Sequence, residues 1–181
     1  MKFNLLATGL LGIVAIGGVN IPLQRVQAQA QDEVQFICAE SFDSESNASL
    51  PTTFAWTTRG KIAVVRWQTE NFADAGFDPQ RRCDEVSPRF QEAYDNNTIG
   101  LITNGTIDSQ SVICTSDAPG GTCNTLLITL RPEDDALKVL NNLRQVLNGE
   151  QVGPVKHNAD TPQIYYQVDI ENFLETAPVE E

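Results

Sequence analysis

The sequence has few histidines and cysteines, the side chains that bind zinc and that often serve as catalytic bases or nucleophiles. It contains one histidine, His157, and four cysteines, none of which forms a Cys-x-x-Cys pair. Zinc sites are usually built from such pairs together with histidines, so the sequence argues against one. The Gly-x-Ser-x-Gly motif of many serine hydrolases is also absent. We therefore expect no catalytic residues, no metal site and no cofactor.

Basic residues are scarce as well. The chain has 12 lysines and arginines against 24 aspartates and glutamates, which gives a net charge of −12. Proteins that bind nucleic acids usually carry a basic surface, and anionic lipids attract basic segments. The charge balance therefore argues against a nucleic-acid partner and against unassisted docking on an anionic membrane.

The apolar stretch at residues 5–19 is shorter than the roughly 20 residues that span a bilayer. It follows Lys2 and is followed by the small residues Ala28 and Ala30. This order is typical of a cleavable secretory signal. We expect residues 1–30 to be a signal peptide that is cut after Ala28 or Ala30, and an uncleaved membrane anchor is the alternative.

The four cysteines lie outside that segment, and an even number in an exported chain indicates two disulfides. Cys83 falls on the apolar stripe of a predicted helix, so its sulfur should point towards the sheet and pair with a strand cysteine such as Cys38. Cys114 and Cys123 flank a glycine-rich loop that brings its ends together. We therefore expect the bridges Cys38–Cys83 and Cys114–Cys123.

Helices and strands follow from capping residues, turns and hydrophobic spacing. Helices are predicted over residues 78–94 and 134–147, and Asp78 caps the first of them. Strands or strand pairs are predicted at residues 34–39, 52–68, 101–115, 125–130 and 164–168. The segregation of strands from helices predicts an α+β fold, in which an antiparallel sheet of about five or six strands carries two helices packed on one face.

Two turns set the expected strand registers. In the first hairpin, Thr57 should pair with Lys61, which places Trp56 opposite Ile62 in an apolar core stripe. In the second strand pair, Asn104-Gly105 should form the turn. We expect a disulfide-stapled domain over residues 31–149 and an acidic C-terminal extension over residues 150–181, whose last seven residues are loosely attached.

Basic residues cluster between positions 59 and 89, and two of them, Arg81 and Arg82, fall in a first helical turn where the helix dipole disfavours cations. One explanation is a ladder of alternating charges at helical spacing, formed by Asp78, Arg82, Glu85 and Arg89. The other is a site for a carboxylate or phosphate, formed by exposed helix N–H groups and arginine side chains. The candidate anion-binding residues are Arg66, Arg81, Arg82 and Arg89.

A family resemblance begins at the first helix. The run Pro79-Gln80-Arg81-Arg82-Cys83, continued by Glu85-Val86-Ser87 and Arg89-Phe90-Gln91, resembles the cyanobacterial circadian oscillating protein family. The four cysteines in order extend the resemblance over residues 34–147. It implies a cyanobacterial source, an extracytoplasmic or membrane-peripheral location and no established enzyme activity. The family supplies no catalytic residues, and the acidic segment after Gly149 departs from its pattern.

These observations predict a non-catalytic exported envelope protein that binds a protein or glycan partner. The expected location is the periplasm, the thylakoid lumen or the cell exterior, with peripheral membrane association left open. Two alternatives remain: a secreted hydrolase-like enzyme that uses acidic residues, and a binder of an anionic ligand through the four arginines.

Overall fold

The computed structural model describes residues 34–68, 78–148, 150–151 and 162–180. The predicted signal peptide, its cleavage site and His157 lie outside the described residues. Among the residues that are described, no helix is long and apolar enough to cross a membrane.

The first sheet has three antiparallel strands in chain order. They are β1 (Gln35–Asp43), β2 (Ala48–Thr57) and β3 (Gly60–Arg66). Phe36 pairs with Ala55 and Cys38 with Thr53, so these four side chains share one face of the sheet. That face is the one buried against the first helix.

The predicted register of the β2–β3 hairpin is wrong by one residue. Thr57 pairs with Gly60, which has a φ of 134°, so the turn has two central residues. Trp56 then lies opposite Lys61, and Ala55 lies opposite Ile62. Because neighbouring side chains alternate between faces, the shift moves Trp56 out of the core and leaves it 50% exposed.

The second sheet has five antiparallel strands in the order β6-β5-β4-β8-β7. In chain order they are β4 (Leu101–Ile107), β5 (Gln110–Thr115), β6 (Leu126–Thr129), β7 (Glu150–Gln151) and β8 (Tyr165–Gln167). The expectation of one sheet of five or six strands is therefore wrong. At the outer edge of β3, the backbone N–H of Glu180 donates to the Lys61 carbonyl at 2.8 Å.

The β4–β5 turn also differs from the expectation. Asn104 and Gly105 lie inside β4, and the turn is formed by Asp108 and Ser109, which have φ values of 49° and 64°. Two central residues with positive φ are typical of a tight hairpin turn. Gly105 is required for another reason: a Cβ there would lie 2.5 Å from the Cys123 sulfur.

Within the described ranges, three helices pack with the sheets, one more than predicted. They are α1 (Pro79–Asp95), α2 (Ala136–Val146) and α3 (Ile170–Thr176). The Asp78 side chain caps α1 by accepting a hydrogen bond from the Arg81 N–H, as its sequence position suggests. Helix α1 packs on β1, β2 and β6, while α2 packs on β3, β4 and β5, so each contacts both sheets and the expectation of helices on one face of a single sheet is wrong. Helix α3 is too short to show a clear apolar period in the sequence.

One hydrophobic core joins these elements. It includes buried residues of both sheets and all three helices, such as Phe36, Phe90, Leu127, Leu140 and Phe173. The rings of Phe36 and Phe90 stack with their centroids 5.7 Å apart. Helix α1 is therefore held on β1 by direct aromatic contact as well as by the Cys38–Cys83 disulfide.

The structure contains both expected disulfides. Cys38–Cys83 joins β1 to α1, and Cys114–Cys123 joins β5 to the loop that precedes β6. Their Cα atoms are 5.4 and 5.5 Å apart, within the usual range for a disulfide. Two disulfides indicate an oxidising, non-cytoplasmic environment.

The expectation of a loosely attached C-terminus is wrong for its described part. Arg59 donates hydrogen bonds to the carbonyls of Leu174, at 2.7 Å, and Ala177, at 3.1 Å. These bonds satisfy carbonyl groups at the C-terminal end of α3, where a cation is also favoured by the helix dipole. Residues 162–180 are therefore held to the first sheet as well as to the second.

Candidate functional site

Two arginines on α1 share one carboxylate. The Arg81 Nε atom lies 2.8 Å from Glu85, and the Arg89 guanidinium lies 3.9 Å from the same carboxylate. The hydrogen bond that Arg81 donates to Glu85, followed by the charge of that carboxylate, raises the pKa of Arg81. The Arg81 side chain is 61% exposed, so the pair contributes little to stability.

Arg82 belongs to the packing between α1 and the end of β3. Its guanidinium lies over the Trp67 ring, 4.5 Å from the ring centroid. The indole N–H of Trp67 donates to the Thr53 hydroxyl at 3.1 Å, and the Ser87 hydroxyl donates to the same oxygen at 3.1 Å. Trp67 is therefore fixed at its polar edge and covered by Arg82 on one ring face.

Arg82 also acts on the loop before α2. Burial alone would raise the pKa of Asp134, but hydrogen bonds from the Arg131 side chain and backbone lower it below its ordinary value. The charges of Arg131 and Arg82 lower this pKa further. The nearest Arg131–Asp134 contact is 2.8 Å. The loop that leads into α2 is therefore held by a partly buried ion pair.

Arg89 extends the same connection to the second sheet. Its guanidinium lies 3.4 Å from the hydroxyl of Thr129 at the end of β6, and its side chain is only 28% exposed. Arg82 and Arg89 thus both face the segment between β6 and α2. Their positions connect α1 to that segment.

Arg66 lies in a different environment. It forms an ion pair with Glu180 and lies 3.9 Å from Asp43. Glu180 also accepts a hydrogen bond from the Ser41 hydroxyl. Among the described residues, Arg66 shares no ion-pair partner with the arginines of α1. The structure thus groups Arg81, Arg82 and Arg89 on one helix and separates Arg66 from them.

The sequence prediction missed an exposed tryptophan. Trp56 is 50% exposed on the face of the first sheet that points away from α1. Its neighbours across the strands are Gln35 on β1 and Lys61 on β3, and we call these three residues the Trp56 surface. The two-residue turn is the signal that could have revealed it, because that register reverses the faces of β2 relative to β3.

A shallow cleft is lined in part by residues that are next to Gln35 and Trp56 in the sequence. It has a volume of about 320 Å³ and lies between the start of β1, the β2–β3 turn and α3. Arg59 forms part of its lining, and Glu171 and Glu175 line it from one side of α3. The cleft therefore contains both basic and acidic groups.

The fold and these sites define an α+β domain with two disulfides and a set of charged contacts between its elements. No group of three histidine, cysteine, aspartate or glutamate residues is placed to hold a metal ion within the described ranges.

The chain belongs to the circadian oscillating protein COP23 family, whose model matches residues 35–175. The match extends past Gly149, and therefore covers β8 and nearly all of α3. No curated protein and no solved structure matches the chain.

Proposed function

We propose that this protein is a non-catalytic binding module of the cell envelope, and that it docks a protein or glycan partner through the Trp56 surface. The observation that carries the proposal is the position of Trp56. A half-exposed indole sits in the central strand of a sheet, between a polar and a basic neighbour.

Tryptophan at such a place suits recognition. It offers a large apolar contact area with little conformational freedom to lose, and tryptophan is enriched among the residues that dominate binding energy. The flanking Gln35 and Lys61 can donate hydrogen bonds to the polar rim of a partner. An aromatic ring of this kind can receive an apolar protein side chain or stack against the face of a sugar ring.

The location follows the same proposal. The two disulfides support an exported protein of the periplasm, the thylakoid lumen or the cell exterior. With a net charge of −12, the chain gains nothing from an anionic bilayer surface. Peripheral attachment to a membrane would therefore pass through a partner protein or glycan.

The anion-ligand alternative receives less support. Arg66 and Arg81 are bonded to carboxylates, Arg82 lies on Trp67, and Arg89 contacts Glu85 and Thr129. An added anion would have to displace these contacts. A binding role for the Trp56 surface requires no such displacement.

The test uses photo-crosslinking in native envelope fractions. A crosslinking amino acid is placed at Gln35, beside Trp56 on the same surface, in one variant and at Val146 in a control, since Val146 is 40% exposed on α2. We expect a discrete adduct at position 35 that unlabelled native protein suppresses and the Trp56→Ala protein does not. Equal adducts at both positions, or equal suppression by both competitors, would refute the proposal.

A further inference from the structure

The outer edge of β1 is partly capped by a side chain. The backbone N–H of Phe36 donates to the Gln91 Oε1 atom at 2.7 Å, and the Gln91 Nε2 atom donates to the Val34 carbonyl at 3.3 Å. The carboxamide of Gln91 therefore takes the place that a peptide group of a neighbouring strand would occupy. It satisfies backbone groups only at the beginning of this edge, at Val34 and Phe36.

These two bonds fix the direction of the remaining backbone groups. Groups on alternate residues of a strand point to the same edge, so those of Cys38, Glu40 and Phe42 also point away from β2. No described residue forms a backbone hydrogen bond with them on that side. An unpaired run from Cys38 to Phe42 is a template for another strand.

The side chains along this run are open on one face. Glu40 and Phe42 lie on the same face as Cys38, because they are two and four residues further on. Helix α1 begins at Pro79, and the Gln80 Nε2 atom lies 3.4 Å from the Cys38 sulfur, so the first turn of α1 lies over Cys38. Beyond it, Glu40 is exposed and Phe42 is 63% exposed. The sequence of β1 also contains no lysine or proline, which commonly protect edge strands.

We propose that the Cys38–Phe42 edge of β1 binds an extended peptide segment of a partner protein by antiparallel strand addition. Main-chain hydrogen bonds supply the affinity, and side chains on the open face supply the selectivity. The partner segment carries a basic residue opposite Glu40 and an apolar residue opposite Phe42.

Charge favours a basic peptide over a second copy of this chain. Antiparallel self-pairing of Cys38–Phe42 would centre on Glu40 and place two glutamates directly opposite each other, which is unfavourable. Asp43 follows the run, Asp84 lies beside Gln80, and the chain as a whole is acidic. A lysine or arginine opposite Glu40 turns the same arrangement into an attractive pair.

This site goes beyond the Trp56 surface. Trp56 lies opposite Gln35 at the start of β1 and faces away from α1, whereas the proposed site begins at Cys38 and faces the side of α1. The two sites can therefore be tested separately in the same protein.

The probe is a blocked pentapeptide with the order isoleucine, threonine, lysine, threonine, alanine. In antiparallel pairing its isoleucine lies opposite Phe42 and its lysine opposite Glu40. Amide hydrogen exchange is measured by NMR on the disulfide-bonded protein. At ten times the dissociation constant we expect exchange at Cys38, Glu40 and Phe42 to slow about tenfold. Exchange at Ala39 and Ser41, whose N–H groups face β2, should stay slow throughout.

Two matched controls separate strand addition from charge attraction. A peptide N-methylated at its lysine and alanine keeps its charge but cannot pair, and should give no protection. The Glu40→Lys protein should lose its response to the lysine peptide and respond instead to a peptide with glutamate in that place. The Trp56→Ala protein should respond like the native protein.

Several outcomes would overturn the proposal. They are no protection by the unmodified peptide, equal protection by the N-methylated peptide, and slowing that depends on protein concentration without any peptide. The last would assign the edge to self-association. None of them bears on the crosslinking at the Trp56 surface, so failure here is distinguishable from failure of the proposed function.

Discussion

The guanidinium of Arg82 lies 4.5 Å from the centroid of the Trp67 ring, so a residue that the sequence offered as an anion ligand covers the edge of the core. Trp67 itself is 4% exposed and is tied to Thr53 through its indole N–H. The contact connects the first turn of α1 to the end of β3. It explains how α1 tolerates a cation near its N-terminus.

The Arg82→Ala variant should therefore lose stability. We expect a decrease of about 1 kcal/mol in the free energy of unfolding, because the cation–π contact and the packing of the arginine stem are both lost. Urea unfolding followed by tryptophan fluorescence measures it. Arg81→Ala is the control and should change the free energy by less than about 0.5 kcal/mol, since its ion pair is exposed. Equal losses in both variants would mean that the Trp67 contact contributes nothing.

The Arg66–Glu180 ion pair should couple the C-terminal segment to the first sheet. Glu180→Gln should lower the free energy of unfolding by about 1 kcal/mol, because it weakens the bond to Arg66 and also affects the contact with Ser41. A double-mutant cycle with Arg66→Gln, measured by urea unfolding at low and high salt, gives the coupling energy. The coupling should decrease as salt increases. Additive effects of the two substitutions at both salt concentrations would contradict the prediction.

The Asp134 carboxylate should make stability depend on pH in acid. The pKa of Asp134 is lower in the folded protein than its ordinary value near 3.9, so its contribution is complete above about pH 4 and is lost as pH falls through the folded pKa. The difference in unfolding free energy between the native protein and Asp134→Asn should be constant from about pH 5 to 7 and shrink below about pH 4. Urea unfolding across this range tests it. In the background of Arg131→Gln, the same comparison should show a smaller difference, and an unchanged one would assign the effect to another group.

The two disulfides should differ in their contributions. They close segments of 45 and 9 residues in sequence separation, so the chain-entropy model gives about 4 kcal/mol for Cys38–Cys83 and about 3 kcal/mol for Cys114–Cys123. Paired cysteine-to-alanine substitutions, followed by guanidinium unfolding without reductant, measure each. The first pair should cost more than the second. The opposite order would show that contacts in the folded state outweigh the entropy of the unfolded chain.

Local signals in the sequence were sufficient for α1, α2 and the disulfides. Asp78 and Pro79 mark the start of α1, and the apolar stripe that carries Cys83 turns its sulfur towards β1. These features depend on residues within a few turns of one another. The same holds for α2, which begins at its Asp135 cap within one residue of the expected start.

Strand pairing required information that local patterns lack. Asn104-Gly105 resembles a turn, yet Gly105 serves the close approach of the Cys123 sulfur, which is 18 positions away in the sequence. At the edge of β3, Glu180 bonds to Lys61, a contact between residues far apart in the chain. The four arginines were recognised as a group by proximity in sequence. Their partners, which include Trp67, Thr129 and Glu180, come from three separate parts of the fold.

The place of β8 in the second sheet bears on biogenesis. This late strand lies between β4 and β7, so the sheet lacks an interior member until residues 165–167 have left the ribosome. The backbone hydrogen bond at the edge of β3 likewise forms only after Glu180 has been synthesised. Until these residues have been synthesised, the nascent polypeptide therefore cannot reach its final topology.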